Sequence, residues 1–303
     1  MAKNEFKPFA TGSGANVTTQ TDWESLPVLS AGFTSGKASS AQVNKGLRQG
    51  TAMAAAVGQF IADNTNEDVK DNGDIAGLSA QLASAVEQAA TGRLIGVRTI
   101  TTSGTYTPTP GTKSIIVEVQ GAGGGGGGVG TTNSTSVAVG CGGGSGAYAK
   151  SRIANLDSAY TVIIGAGGAG GAGVVNGNGG NGGSTSFGTI TAGGGYGGGS
   201  SNSVPPIIQN ASGIPTATGG NIINLSGNNP IMGMAFSTSI IISGGGASSI
   251  LGAGGSPHGT AGIGREATGY GAGGGGANAY QNSSAQYNGA PGSSGVVIVW
   301  EYA

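Results

Sequence analysis

The sequence predicts an α+β protein: short N-terminal helices, one with the spacing of a coiled-coil seam, followed by a β-rich, glycine-rich domain with polyglycine-II-like strands. Two observations carry this. Of 67 glycines, eleven fall in residues 1–98 and 56 in residues 99–303, while the charges divide the other way. Of 12 basic and 13 acidic residues, the second part holds only Lys113, Lys150, Arg152, Arg265, Glu118, Asp157, Glu266 and Glu301. The hydrophobic period also changes, from helical spacing before residue 90 to β-branched runs after 113. Three segments follow: 1–73, 74–98 and 99–303.

Residues 1 to about 38 are mixed and polar, with an apolar set (Trp23, Leu26, Val28, Leu29, Phe33) that either forms a docking surface or tucks into a local core. From Ser39 the pattern turns helical. Ser39 or Ser40 can cap, and Val43, Leu47, Ala54, Val57 and Ile61 recur at spacings of three, four and seven. Turn formers and acids in "DNTNEDVKDNGD" stop that helix. A second helix runs from Asp74 to Ala90, where Ile75, Leu78, Leu82, Ala85 and Ala89 keep a 3-4-3-4 spacing. That is a coiled-coil seam about two heptads long, or one amphipathic helix against a globular neighbour. Strands follow at 113–120, 160–164, 237–243 and 295–302, the first three running directly into glycine at irregular intervals, so no fixed-repeat solenoid is indicated.

Glycine loses more backbone freedom on folding than any other residue, roughly 0.5–1 kcal/mol relative to Ala, so backbone hydrogen bonding must compensate for the runs if they are ordered. Collagen is excluded by "GGGGGG" at 123–128 and by only ten prolines. A flexible linker is not punctuated by "IIVEV" and "VVIVW", which need a core. The remaining choices are a bundle of extended, polyproline-II-like strands or irregular loops on a small β-sandwich.

"YTVIIGAGGAGGAG" spells G-x-G-x-x-G at Gly165, Gly167 and Gly170, but glycine and asparagine follow in place of a helix, and the next acid after Asp157 is Glu266. A dinucleotide cradle needs both helix and acid, so no cofactor is expected. Net charge of −1 without a basic cluster gives no footprint for nucleic acid. There is no apolar run long enough for a signal or a spanning helix, so membrane insertion is not expected. Cys141 stands alone, and with His258 it falls short of a metal ligand set. Between Ser158 and Gly264 there is no Asp, Glu, Lys or Arg. Glycoside cleavage normally needs a pair of carboxylates and nucleophilic catalysis an oriented base, and His258 would be the only base, so the reading is non-enzymatic.

A platform of glycine leaves recognition to whatever interrupts it. The longest interruption, 201–239, is uncharged and carries Pro205, Pro206, Ile207, Ile208, Ile214, Ile222, Ile223, Met232, Met234 and Phe236. Exposed, these form a patch that marks a binding surface; buried, they build a strand core or a subunit interface. Tyr196, Tyr270, Tyr280 and Tyr287 stand in glycine or Asn/Gln/Ser-rich surroundings, as rigid aromatic contacts do in binding loops, or as caps on the glycine strands.

Two stretches resemble a known family. "FATGSGANVTTQTDWESLPVLSAGFTSGKASSAQVNKGLRQGTAMAAAVGQFIADNT" with "DVKDNGDIAGLSAQL" resembles the N-terminal region of bacteriophage and prophage tail fibre proteins. "SGTYTPTPGTKSIIVEVQGAGGGGGG", "YTVIIGAGGAGG" and "GAPGSSGVVIVWEY" look like the glycine-rich C-terminal domain of tail fibres and distal adhesins. The resemblance implies a virion component assembled in the host cytoplasm, its N-terminal segment bound to phage tail or baseplate proteins and its C-terminal loops bound to a bacterial outer-membrane protein or lipopolysaccharide. Segments between glycine runs, here 201–239, would contact the receptor. Fibres of this kind are usually homotrimers, whereas adhesins seated on another fibre's tip can be monomeric.

Overall fold

The computed structural model describes residues 2–33, 39–90, 92–210 and 213–303, and the chain divides into two compact units, Met1–Arg93 and Leu94–Ala303. The first holds α1 (Gln20–Glu24), α2 (Val28–Ala31), α3 (Ser40–Thr65) and α4 (Ile75–Ala89). The Asp74 side chain accepts the Gly77 N–H at 2.8 Å and so starts α4, while Asn66 ends α3 in the left-handed region. Leu78 and Ala85 pack with Ile61, Ala62 and Val69, so the 3-4-3-4 seam is divided: these two face α3, while Ile75, Leu82 and Ala89 stay exposed, as does Val86 outside the seam.

The second unit contains sixteen strands in four antiparallel sheets and no helix among its described residues. The protein is therefore β-rich, which corrects the α+β class expected from the sequence. The helical periodicity before residue 90 is real but belongs wholly to the smaller unit, and the sheets of the larger one are formed by short runs that carry little periodic signal of their own.

Two of those sheets form a proximal sandwich, where the chain enters the second unit. One has the order β1 (Leu94–Ile100), β16 (Val296–Tyr302), β3 (Ser114–Gln120), β5 (Tyr148–Ile153) and β12 (Ile223–Leu225). The other runs β11 (Ala217–Thr218), β8 (Ile190–Ala192), β7 (Thr185–Phe187), β6 (Tyr160–Ile163) and β2 (Gly104–Tyr106). Period-two alternation turns Ile115, Val117 and Val119 inward with Val297 and Val299, against Val162, Ile190 and the Tyr106, Tyr160 and Phe187 rings. Tyr160 stacks on Phe187 at 4.7 Å between centroids. Two smaller sheets form a distal sandwich: β15 (Asn278–Ala279), β4 (Val137–Gly140) and β9 (Ser200–Ser203), beneath β10 (Ile207–Gln209), β13 (Gly233–Ala235) and β14 (Ile241–Ile242).

Glycine strands join the two sandwiches. At the centre, successive residues of 121–128 donate in rotation to three different neighbours at 2.7–3.2 Å. Gly121, Gly124 and Gly127 bond Ala147, Gly144 and Cys141; Ala122, Gly125 and Gly128 bond Gly183, Gly180 and Gly177; Gly123 and Gly126 bond Ser293 and Ala290. Three further strands donate back: Gly195 and Gly198 to Ala122 and Gly125, Gly168 and Gly171 to Gly123 and Gly126, Gly274 and Ala277 to Gly124 and Gly127. These six neighbours bond to one another in a closed ring, in the order 141–147, 193–199, 177–183, 165–172, 287–295, 271–277 and back to 141–147.

A rotation of three residues per turn is the geometry of extended polyproline-II-type chains, which have no internal hydrogen bonds and must find partners outside. Glycine is required by the close approach: a Cβ at Gly123, Gly124, Gly125 or Gly126 would fall onto the backbone of Ala272, Tyr196, Ala169 or Gly275. On the strand 165–172 the same period appears in burial, with Gly165, Gly168 and Gly171 buried and Ala166, Ala169 and Ala172 exposed. The G-x-G-x-x-G spelling is thus a lattice strand, and it ends in a turn closed by Gly177 N–H to Val174 O.

Candidate functional site

The lattice strands run into or out of the sandwiches: β4, β9 and β15 continue 141–147, 193–199 and 271–277 at the distal end, and β14 leads into a further glycine strand, 243–247, that bonds 141–147 and 271–277. The distal upper sheet is held in register by the pairs Ile207–Ala235–Ile241 and Ile208–Met234–Ile242. The first row points down, where Ile207, Ala235 and Ile241 pack on Val137 and Val139. The second row must then point out, and the sequence extends it through Phe236 and Ile240, which are two residues on from Met234 and two before Ile242. Ile208 is 63%, Phe236 64% and Ile240 61% exposed, an apolar face with no charge on it. Phe236 N–H donates to Ile240 O at 2.9 Å, and Ser237 Oγ accepts the Ser239 and Ile240 N–H groups, so this hairpin is fixed from within.

The structure thereby divides the residues that the sequence groups in 201–239. Pro206, Ile208, Met234 and Phe236 lie on or beside the outward face, and Pro205 is half-buried next to them. Ile207 is core. Met232 is exposed just before β13. Ile222 and Ile223 are far off, at the β12 edge of the proximal sandwich where Ile223 pairs with Lys150, and Ile214 is exposed between the two ends. The tyrosines do not converge. The Tyr196 ring lies over Gly213, Tyr270 N–H bonds Leu251 O, Tyr280 packs on the distal core with its hydroxyl donating to Gly259 O, and Tyr287 pairs with Val129. Ile240 and Ile242 escaped sequence reasoning because "STSIIIS" reads as one strand. The buried Ile241 between them is the alternation that marks their face.

His258 faces inward beneath this sheet. Its main-chain N–H donates to Ser243 Oγ, and its Nδ1 lies 2.9 Å from the same oxygen. Burial lowers its pKa, opposed by the Gly262 backbone and aided by the charge of Arg265. At the proximal end, Glu301 is buried and accepts from the Tyr106 hydroxyl, the Thr109 N–H and Thr109 Oγ1, with Arg98 Nε at 3.6 Å. In the first unit Trp23 is buried near Gly46, Leu26 is half-buried, and Leu29 and Phe33 are exposed.

The lattice decides the kinship, because it is spread over the same stretch that a family model matches: that of a glycine-rich domain, residues 100–302. The chain belongs to the glycine-rich domain family. No curated protein matches it. Within this domain, the glycine strands supply a scaffold almost without side chains, and the distal sheet is one place where large side chains stand out together on one face.

Proposed function

We propose that this glycine-rich protein is a phage tail fibre adhesin, a non-enzymatic virion component that binds a bacterial surface receptor through the outer face of its distal sheet. The observation that carries the reading is that face: Ile208, Phe236 and Ile240, each more than half exposed, on a sheet whose other side is core. An apolar, uncharged face is suited to an apolar patch on an outer-membrane protein. Lipopolysaccharide phosphates would call for Lys or Arg, and residues 158–264 contain neither. Leu29 and Phe33 are the exposed groups of the first unit that fit attachment to a tail protein, and Ile75, Leu82 and Val86 along α4 fit self-association as a trimer.

The test is binding of the labelled full chain to host cells and to derivatives lacking outer-membrane porins or lipopolysaccharide outer sugars. Binding is expected to vanish on the porin-deficient cells. In the Ile208→Ser/Phe236→Ser variant it should weaken about 30-fold or more, the loss expected of a central hot spot, with an unchanged melting curve. Equal binding by the variant refutes the face, and dependence on outer sugars refutes the protein receptor.

A further inference from the structure

A second site lies at the base of the distal sheet. Asn210, Asn229, Pro230 and Met232 line a cavity of about 340 Å³, within the range of small-molecule sites. Two of these residues flank the pair that closes the sheet, Gln209 with Gly233. Asn229 and Pro230 come from the segment held along the bundle by Ser145 N–H to Asn228 O and Ile231 N–H to Gly245 O.

Asparagine in this unit is ordinarily spent on the backbone. Asn178 and Asn181 accept the N–H groups of Ser200 and Gly197, Asn288 that of Gly173, and Asn221, Asn224 and Asn228 donate to carbonyls of Arg152, Gly220 and Ser248. The side chains of Asn210 and Asn229 make no such bond to any described residue, and both border one cavity. Each of these amides offers two donors and an acceptor oxygen. Vicinal hydroxyls, each both donor and acceptor, complement that set, while Pro230 and Met232 supply an apolar wall for the C–H face of a ring. None of the four lining residues carries a formal charge to attract or balance an anionic or cationic ligand.

We infer that this cavity is a binding site for a neutral sugar ring, with Asn210 and Asn229 hydrogen-bonding its hydroxyls and Pro230 and Met232 against its apolar face. The inference takes the receptor-binding reading as its setting, but sugar binding is read directly on the isolated chain, so the two fail separately.

Saturation-transfer NMR of the full chain with methyl glucoside, methyl galactoside, methyl mannoside and N-acetylglucosamine, and with glucuronate as the anionic probe, tests it. At least one neutral probe should show transfer to ring C–H protons. The Asn210→Ala/Asn229→Ala variant should bind it about tenfold more weakly, with an unchanged melting curve because neither amide bonds a partner among the described residues. Absence of transfer from every neutral probe overturns the site. So does an unaltered signal in the double variant, or glucuronate binding as well as the neutral sugars.

Discussion

Replacing Gly125 by alanine places one methyl group at the centre of the lattice. Gly125 donates to Gly180 O at 2.9 Å and accepts from Gly198 at 2.8 Å, and its added Cβ would lie on the carbonyl of Ala169, well under the 3.0 Å that real Cβ atoms respect. The strand 165–172 would have to retreat by about 1 Å, in a region packed like a crystal. That retreat stretches the bonds from Gly168 to Gly123 and from Gly171 to Gly126, both now 2.8 Å. Two weakened bonds at about 1 kcal/mol each, and about 1–3 kcal/mol of overpacking, less about 0.5–1 kcal/mol from the stiffer unfolded chain, leave a loss of roughly 2–4 kcal/mol. For a unit of this size each kcal/mol moves the midpoint by about 2–4 °C, so the second unit should melt roughly 4–16 °C lower. Calorimetry of the full chain measures this, with Gly104→Ala as the control, because nothing lies within 4 Å of a Cβ there. If the two variants melt within about 2 °C of each other, the lattice is looser than described and the steric reasoning fails.

Two further perturbations probe the ends of the chain. Burial pushes the Glu301 carboxyl up, but hydrogen bonds from Thr109 Oγ1, Tyr106 and the Thr109 N–H, with the Arg98 charge, together hold it below its ordinary value. A depressed folded-state pKa gives stability that is present above the ordinary carboxylate value of 4.5 and is lost as pH falls through the lower, folded value. Glu301→Gln should therefore lower the second unit's melting temperature at pH 7 and flatten its decline in acid, and parallel pH profiles for variant and wild type would refute that role. Asp74→Ala removes the cap of α4, and should cost the first unit about 0.5–2 kcal/mol in urea unfolding, with the second unit's transition unmoved.

The helices were legible because their signals are local. Ser39 precedes the periodic run that becomes α3, and Asp74 marks the start of α4. The strands at 113–120, 160–164 and 295–302 were legible within a residue or so, each being a β-branched run bounded by glycine or turn residues. The run at 237–243 was only partly so, because Ser237 folds its first half into a turn and leaves β14 as Ile241–Ile242. The interruption 201–239 was misleading as a unit. It leaves the distal sheet at β10, reaches the proximal sandwich at β11 and β12, and returns to the distal sheet at β13. Nothing local in "SNSVPPIIQNASGIPTATGGNIINLSGNNPIMGMAFSTS" encodes that excursion, since its partners at Ala192, Lys150 and Ile242 are set by the sheets they belong to. The same holds for the glycines. Their composition announces close backbone packing, but which of six neighbours each residue meets depends on strands up to about 170 positions away, as for Gly123 and Ser293.

The closed ring around 121–128 also sets an order of events during synthesis. The central strand emerges early, yet its last two partners, 271–277 and 287–295, come some 150 residues later, and β16, which lies between β1 and β3, later still. At ordinary elongation rates of about 5–20 residues per second, the Gly123 and Gly126 N–H groups and the Gly124 and Gly127 carbonyls wait on the order of ten seconds or more for their final partners. A nascent chain in that interval exposes the apolar strands β3 and β6 without the β16 strand that pairs with β3. A ribosome stalled short of residue 287 would therefore hold a ring still open on one side, where 287–295 joins 165–172 to 271–277 and accepts the Gly123 and Gly126 N–H groups.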